Sequence, residues 1–200
     1  SFYAMFDLCE ELKVDKLYIS HLVYSGRGKD NLEIDISKEQ RRKYVEFIID
    51  KAFEYYKNGN NIDLVTGNME MDAIMLLDRF KKEYPDFVET LEQKLKAWGG
   101  NSAGHRLGNM DWAGNVKPDP FFPFVVGNYL ETSFDEIWTS TSNDILNKLR
   151  EHPRQIKGRC SQCKYIEICN GGSRSRAYAI SGDLWEEDPS CYLTLEETRR

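Results

Sequence analysis

The cysteine spacing in the last fifty residues constrains this 200-residue chain more than any other feature. Four of its five cysteines, Cys160, Cys163, Cys169 and Cys191, follow the spacing C-x2-C-x5-C-x21-C. A C-x2-C turn places two sulfurs on one side of a tight loop, and later cysteines can complete the coordination of one metal centre. An odd total with four bunched fits metal ligation better than a disulfide scaffold. The segment therefore predicts a metal site.

Two metal centres compete for these cysteines. Four cysteines can form a closed structural zinc site, but zinc ribbons usually present two C-x2-C knuckles. This set has one knuckle followed by two single cysteines, an irregular spacing that favours wrapping a bulky [4Fe-4S] cluster. Spacing alone favours the cluster and leaves zinc open, while four unligated buried cysteines is the least favoured interpretation.

Composition limits the classes of partner. The chain is 40% hydrophobic, enough for one substantial core or for a domain with a smaller module. It has no apolar run long enough for a membrane span and no signal peptide at its start, so we expect a cytoplasmic protein with no membrane partner. A formal net charge of -6 argues against nucleic acid as a partner, although the basic residues between Arg150 and Arg159 could hold a small anion.

The first half of the chain alternates helix and strand. An amphipathic pattern predicts a helix over 2–12, a buried strand follows at 16–23, and Gly26–Gly28 is expected to form a mobile loop at the strand end. Ser37 and Gln40 carry a capping-box signature for a helix that ends at Gly59. We expect that helix to bury one face, formed by Val45, Ile48, Ile49, Ala52, Phe53 and Tyr56. A strand at 62–66 and helices at 70–84 and 88–98 complete an α/β pattern with a parallel sheet.

Composition changes near Gly99, where the chain becomes rich in Gly, Asn, Pro and aromatic residues. A hairpin is expected from Leu107 to Lys117, turning at Ala113-Gly114. Ser133 is expected to cap a short helix, and a further helix should run from 143 to 152, ended by a proline. We therefore predict two domains, 1–99 and 100–200.

The cysteine segment also resembles a known family. Its order is Cys160-x2-Cys163-x5-Cys169-Asn-Gly-Gly-Ser-Arg-Ser-Arg-Ala, then Gly182-Asp183 and Asp188-Pro189-x-Cys191. This resembles the C-terminal auxiliary-cluster (SPASM) domain of radical S-adenosylmethionine enzymes. Four further stretches are similar to the branch of that family that acts on sirohaem-derived tetrapyrroles: Leu22–Gly28, Asn68, Gly99–Ser102 and Gly114–Asp119.

The resemblance implies a fold and an activity. The fold would be the C-terminal part of a partial (β/α)6 barrel followed by a small α+β module that holds one auxiliary [4Fe-4S] cluster. The full-length enzyme would also bind S-adenosylmethionine and a second [4Fe-4S] cluster, and would receive electrons from a donor protein. Its expected reaction removes acetate side chains from didecarboxysirohaem to give Fe-coproporphyrin. The alternatives are an enzyme of haem d1 biosynthesis, a peptide-modifying enzyme of the same type and a zinc-stabilised binding module.

This sequence departs from the family pattern at two places. The C-x3-C-x2-C motif of the radical-generating cluster is absent, and Cys9, alone on a predicted helix, is expected to be a core or surface thiol. We therefore expect a C-terminal portion that is inactive alone. Asp119 stands where larger auxiliary-cluster domains carry a cysteine, and a turn role is favoured there over iron ligation.

Candidate site residues follow from strand ends and from charge. The predicted catalytic residues are His21, Tyr24 and Arg27; the predicted cofactor-binding residues are Ser20, Thr66 and Asn68; the predicted substrate-binding residues are His105, Arg106, Arg174 and Arg176. His21 could instead satisfy a backbone carbonyl, and His105 and Arg106 could be solvated turn residues. Arg174 and Arg176 would share one face of an extended segment, or form salt bridges with Asp183, Glu186 or Glu187.

Overall fold

The computed structural model describes residues 1–199. Its first half alternates helices with two short strands: α1 Ala4–Leu12, β1 Lys16–Ser20, α2 Lys38–Asn58, β2 Asp63–Gly67, α3 Asp72–Glu83 and α4 Val88–Trp98. Short 3-10 helices occupy Gly26–Ile34 and Pro85–Phe87. The predicted mobile loop at Gly26–Gly28 was therefore wrong, because these residues begin a 3-10 helix.

The second half is built from smaller elements. They are β3 Asn109–Met110, β4 Asn115–Lys117, β5 Gly127–Asn128, α5 Phe134–Thr139, α6 Asp144–Arg150, a 3-10 helix Gly158–Gln162, α7 Ile166–Cys169, α8 Arg174–Ser181 and α9 Leu195–Thr198. The predicted hairpin is confirmed by the antiparallel pairing of β3 with β4, and β5 adds a third strand that the sequence did not predict.

Local signals set the bounds of α2 as predicted. The Ser37 side chain accepts a hydrogen bond from the Gln40 backbone, the Gln40 side chain accepts one in return, and Gly59 ends the helix in the left-handed conformation. The predicted buried face was wrong at two positions, because Ala52 and Tyr56 are both exposed. Tyr56 is 85% exposed, whereas its neighbour Tyr55 is buried against Cys9 and Ile62. Cys9 is thus a core thiol, as expected.

Strands β1 and β2 form a parallel pair. β1 and β2 align with Lys16 opposite Asp63 and Ser20 opposite Gly67. A parallel pair requires a crossover, which α2 supplies between the strands. Both strands therefore end at the same edge, where the segments 20–24 and 67–72 emerge together. This arrangement belongs to the α/β class.

One core spans the predicted boundary at Gly99. The largest buried cluster joins α2 and α3, through Val45, Ile49, Ile74 and Leu77 among others, to residues of the cysteine segment. Helix α4 packs on both α3 and α7. The division into domains 1–99 and 100–200 stays a prediction. Within residues 1–199, no helix is both long and apolar enough to cross a membrane.

Candidate metal centre

The cysteine segment is a series of tight turns. Cys160 lies in the 3-10 helix Gly158–Gln162, and Cys163 follows it in extended conformation. Cys169 ends helix α7, after which Asn170, Gly171 and Gly172 all have positive φ angles. Three such residues in succession reverse the chain sharply, and glycine tolerates that conformation at little steric cost. The reversal is closed by a hydrogen bond from the Gly172 N–H to the Cys169 carbonyl at 3.1 Å.

The second glycine also permits a close approach between distant segments. A β-carbon at Gly172 would lie 2.6 Å from the Asp188 carboxylate. That carboxylate accepts the backbone N–H of Ser173 at 2.8 Å and the N–H of Ser190 at 3.0 Å. Asp188 therefore ties the loop after Cys169 to the loop that carries Cys191.

All four candidate ligands line one cavity. The cavity is narrow, with a volume of about 10 Å³, and its walls consist of Met71, Arg159, Cys160, Cys163, Cys169, Gly171, Asp188, Cys191, Leu193 and Thr198. The four cysteines are buried, and none forms a disulfide. Within residues 1–199, no three His, Cys, Asp or Glu side chains stand close enough together to hold a single metal ion as placed.

Burial raises the pKa of three of these cysteines, Cys160, Cys169 and Cys191, and so favours their protonated form when nothing is bound to them. It raises the pKa of Cys160 to about 12, with the neighbouring Cys191 adding to the rise. It raises the pKa of Cys169 well above its ordinary value and that of Cys191 in the same direction. Four thiolates in such a site require a positively charged group that compensates them, which is what an iron–sulfur cluster or a metal ion supplies.

The donors around the cavity suit bound thiolates. The backbone N–H groups of Gly171 and Leu193 partly offset burial and act to lower the pKa of Cys169 and Cys191. Arg159 donates to the carbonyls of Cys191 at 3.0 Å and Leu193 at 2.7 Å, and so holds the last ligand loop. Hydrogen bonds and positive charge at the sulfurs are the means by which proteins stabilise such clusters. The donor set therefore fits an auxiliary cluster bound by four cysteines.

Arg174 and Arg176 lie behind the ligand loops. The prediction of an extended segment was wrong, because the Ser173 side chain caps helix α8 at residue 174 and both arginines are helical. Arg174 donates to backbone carbonyls, including that of Leu184 at 2.8 Å, and Arg176 pairs with Asp188 at 2.8 Å. Both guanidinium groups are fully buried and engaged within the chain. None of the three salt-bridge partners expected for them is used, and their substrate-binding role stays a prediction.

The predicted catalytic residues separate into two groups. The His21 Nε2 lies 2.9 Å from the Asp72 carboxylate, and the Tyr24 hydroxyl donates to Asp35 at 2.8 Å and contacts the Ser190 hydroxyl at 3.0 Å. Both side chains therefore sit where the carboxyl end of β1 meets the Cys191 loop. Arg27 is exposed on the 3-10 helix. The structure brings His21 and Tyr24 to one region and leaves Arg27 outside it.

The predicted cofactor-binding residues are also divided. Asn68, which has a φ of 60°, donates to the Ser20 hydroxyl at 2.6 Å, so these two converge. In the parallel register Ser20 pairs with Gly67, whereas Thr66 pairs with Ile19. Because alternate residues of a strand face opposite sides, Thr66 lies on the face opposite Ser20. Thr66 lines one cavity with Asn68, and the cofactor-binding role of all three residues stays a prediction.

His105 and Arg106 are exposed in the turn after α4, the alternative that the sequence left open. Arg106 donates to the Trp98 carbonyl, and its guanidinium lies 6.0 Å from the centre of the Trp98 ring. Partial burial, with the charge of Arg106, lowers the pKa of His105. Asp119 adopts the turn role favoured for it and accepts the Phe121 N–H at 2.7 Å.

Three buried residues of this region were not predicted from the sequence as site residues. Asp72 contacts the predicted catalytic residue His21 directly, and Tyr192 contacts Asp72. Glu70 is buried with one carboxylate oxygen lacking a partner among the described residues, and burial raises its pKa. A Glu-x-Asp pair at the start of the helix that follows the predicted strand 62–66 was a usable signal, whereas nothing local marks Tyr192.

Comparison with known proteins places these features in a context. No family model matches the chain. It is 41% identical over 194 residues to the pre-heme d1 synthase of Dinoroseobacter shibae, covering 96% of this chain and 48% of the relative. It is 36% identical to the Fe-coproporphyrin III synthase of Methanosarcina barkeri, covering 97% and 50%. An AdoMet-dependent heme synthase of the same organism is 30% identical, covering 93% and 50%. The chain thus spans about half the length of these relatives.

Proposed function

Since this chain belongs to the radical S-adenosylmethionine enzymes of the SPASM type and corresponds to their C-terminal portion, we propose that it is part of an enzyme of haem biosynthesis that modifies an iron tetrapyrrole. The observation that carries the proposal is the cavity lined by four buried cysteines. The names of the relatives support the tetrapyrrole class of substrate.

The proposed substrate is didecarboxysirohaem, and the proposed product is Fe-coproporphyrin III, formed by loss of acetate side chains. The Fe-coproporphyrin III synthase of Methanosarcina barkeri supports this product. The second candidate product is pre-haem d1, which the higher identity to the Dinoroseobacter shibae protein favours. Both require the full-length protein, because this chain has no C-x3-C-x2-C motif for the radical-generating cluster.

In this proposal Cys160, Cys163, Cys169 and Cys191 hold the auxiliary [4Fe-4S] cluster. When bound, the cluster supplies one-electron chemistry, and S-adenosylmethionine supplies the radical that takes hydrogen from the substrate side chain. An electron-donor protein is the further partner that such chemistry requires. The task of this chain is to hold the cluster, to position the substrate and to exclude water from the reacting carbon.

The residues at the carboxyl ends of β1 and β2 are proposed to face the reaction. Ser20 and Asn68 bond to each other there, and His21 and Tyr24 lie beside the Cys191 loop. Parallel α/β sheets place their ligands at this edge. Because Tyr24 contacts Ser190 and His21 is linked to Tyr192 through Asp72, the substrate edge and the candidate metal centre form one connected region.

The experiment is turnover by the full-length protein with both clusters reconstituted anaerobically. It is incubated with didecarboxysirohaem, S-adenosylmethionine and a reductant, and products are separated by chromatography and weighed by mass spectrometry. Deoxyadenosine together with Fe-coproporphyrin III supports the first product, and deoxyadenosine with pre-haem d1 supports the second. If neither deoxyadenosine nor a modified tetrapyrrole forms, the proposed function is refuted.

A further inference from the structure

Three buried side chains form a hydrogen-bonded row between the cluster loop and the end of β1. The Tyr192 hydroxyl donates to Asp72 Oδ1 at 2.7 Å, and His21 Nε2 lies 2.9 Å from Asp72 Oδ2. The side chains of His21 and Asp72 are 8% and 7% exposed, and Tyr192 is 4% exposed. Tyr192 directly follows the candidate ligand Cys191. The row therefore joins the metal centre to the predicted catalytic residue.

The chemistry of the carboxylate fixes the proton on His21. An ionised carboxylate only accepts hydrogen bonds, so both of its partners must donate. Tyr192 meets this need with its hydroxyl, and His21 meets it only if Nε2 carries a proton. In a neutral ring the Nδ1 nitrogen is then left without a proton and becomes the acceptor. The contact thus selects one of two tautomers.

The residue His21 also borders open space. His21 lines a cavity of about 510 Å³ between β1 and α2 that also contacts Ser20, Asp35, Arg41 and Tyr44. Asp35 and Arg41 are themselves held together at 2.8 Å, and Arg41 donates to the carbonyl of Ser190 in the cluster loop. The loop that carries Cys191 therefore holds two parts of this cavity. Ser190 holds Arg41 in the cavity wall, and Tyr192 holds His21 through Asp72.

We propose that Asp72 and Tyr192 are positioning residues that hold His21 with Nε2 protonated, so that Nδ1 is the atom His21 offers to a molecule in this cavity. The proposal rests on the proposed function only for the identity of that molecule, a tetrapyrrole. Carboxylates that orient a functional histidine in this way set both its tautomer and its ring direction. Tyr192 acts through Asp72, because its hydroxyl occupies the oxygen that His21 does not use.

The test is a ¹⁵N NMR measurement of the histidine rings in the anaerobically reconstituted full-length protein carrying ¹⁵N-labelled histidine. Loss of a signal in His21→Gln assigns the His21 ring. In the unaltered protein we expect a protonated Nε2 and an unprotonated Nδ1. In Asp72→Asn the amide can donate to Nε2, so the proton should move to Nδ1 and the two nitrogen shifts should exchange order.

Tyr192→Phe supplies a second and milder variant. It frees Asp72 Oδ1 and leaves the Nε2 contact, so we expect the same tautomer with shifted His21 ring signals. Tyr165→Phe is the matched control, since Tyr165 is buried in the same core but its hydroxyl faces Asp78 and Lys81. It should leave the His21 signals unchanged.

Two results would overturn the proposal: a His21 protonated at Nδ1 in the unaltered protein, or His21 signals that are identical in Asp72→Asn, Tyr192→Phe and the unaltered protein. If Asp72→Asn does not fold, the comparison of Tyr192→Phe with Tyr165→Phe decides. The outcome is independent of turnover. A protein with the expected His21 signals and no tetrapyrrole product would refute the proposed function and leave the positioning role intact.

Discussion

Gly100 packs directly on the backbone of Cys169: a β-carbon at position 100 would stand 2.5 Å from the carbonyl carbon and oxygen of Cys169. Gly100 also has a φ of 69°, a backbone angle that residues with a side chain rarely adopt. The end of the α4 segment thus lies against the main chain of a candidate metal ligand. This contact makes the segment that follows α4 part of the wall that supports the candidate metal centre.

The first prediction is that Gly100→Ala destabilises the chain and lowers its iron content after reconstitution. The left-handed conformation and the steric overlap together should cost about 2–4 kcal/mol of unfolding free energy, measured by urea denaturation. Gly59→Ala is the control, because Gly59 has a similar φ of 67° with open space around it. It should cost about 1 kcal/mol and leave iron binding unchanged. Equal losses in both variants would contradict the packing argument.

The second prediction concerns the buried pair of Arg176 and Asp188, whose side chains are 0% and 1% exposed. Burial opposes ionisation of Asp188, but Arg176 outweighs it and lowers the pKa of Asp188. Asp188→Asn leaves the Arg176 charge without its partner, so we expect a loss of about 3–5 kcal/mol in urea denaturation.

The exposed pair of Lys157 and Asp183 is the comparison for that variant. Lys157→Met should leave the unfolding midpoint unchanged, because solvent screens this pair. A stability of Asp188→Asn equal to that of the unaltered chain would show that Arg176 is compensated by other groups.

The third prediction is a pH dependence from the C-terminal helix. The hydrogen bond from Arg42 lowers the pKa of Glu197 to about 2. A carboxyl group with a depressed pKa in the folded state contributes stability that is fully present above its unfolded pKa of about 4.3 and is lost as the pH falls through about 2. Glu197→Gln should therefore lose about 1 kcal/mol at pH 7 after solvent screening, and the difference should vanish at low pH.

Glu46→Gln is the control for this dependence. Glu46 also pairs with Arg42, but at 3.4 Å and with a side chain that is 48% exposed. It should show a smaller effect at pH 7. The account would fail if the two variants had the same unfolding midpoints at every pH, measured by urea denaturation of the metal-free chain.

Local signals in the sequence predicted much of the fold, and contacts between distant residues explain what was missed. The capping box of Ser37 and the glycine stop at Gly59 each act within one helical turn. The bounds of α2 could therefore be predicted correctly from the sequence. Helix α8 was not predicted, because its Ser173 cap follows two glycines that favour a loop. Strand β5 has two residues, too few for a periodic pattern.

The same distinction between local signals and contacts of distant residues applies to the site. The spacing of Cys160, Cys163, Cys169 and Cys191 in the sequence made their shared cavity predictable. The hydrogen bond between Asp72 and Tyr192 joins residues 120 positions apart. No periodicity or spacing encodes such a contact, because only the crossing of α3 by the Cys191 loop creates it.

The most direct test of the central claim is the metal content of the protein after anaerobic reconstitution with iron and sulfide in the presence of zinc. We predict iron and sulfide in equal amounts, with the absorption and Mössbauer spectra of a [4Fe-4S] cluster. Cys163→Ala should lose them, and Cys9→Ala, which alters a cysteine in a separate core cluster, should retain them. A colourless chain that holds one zinc ion released by Cys163→Ala would contradict the account.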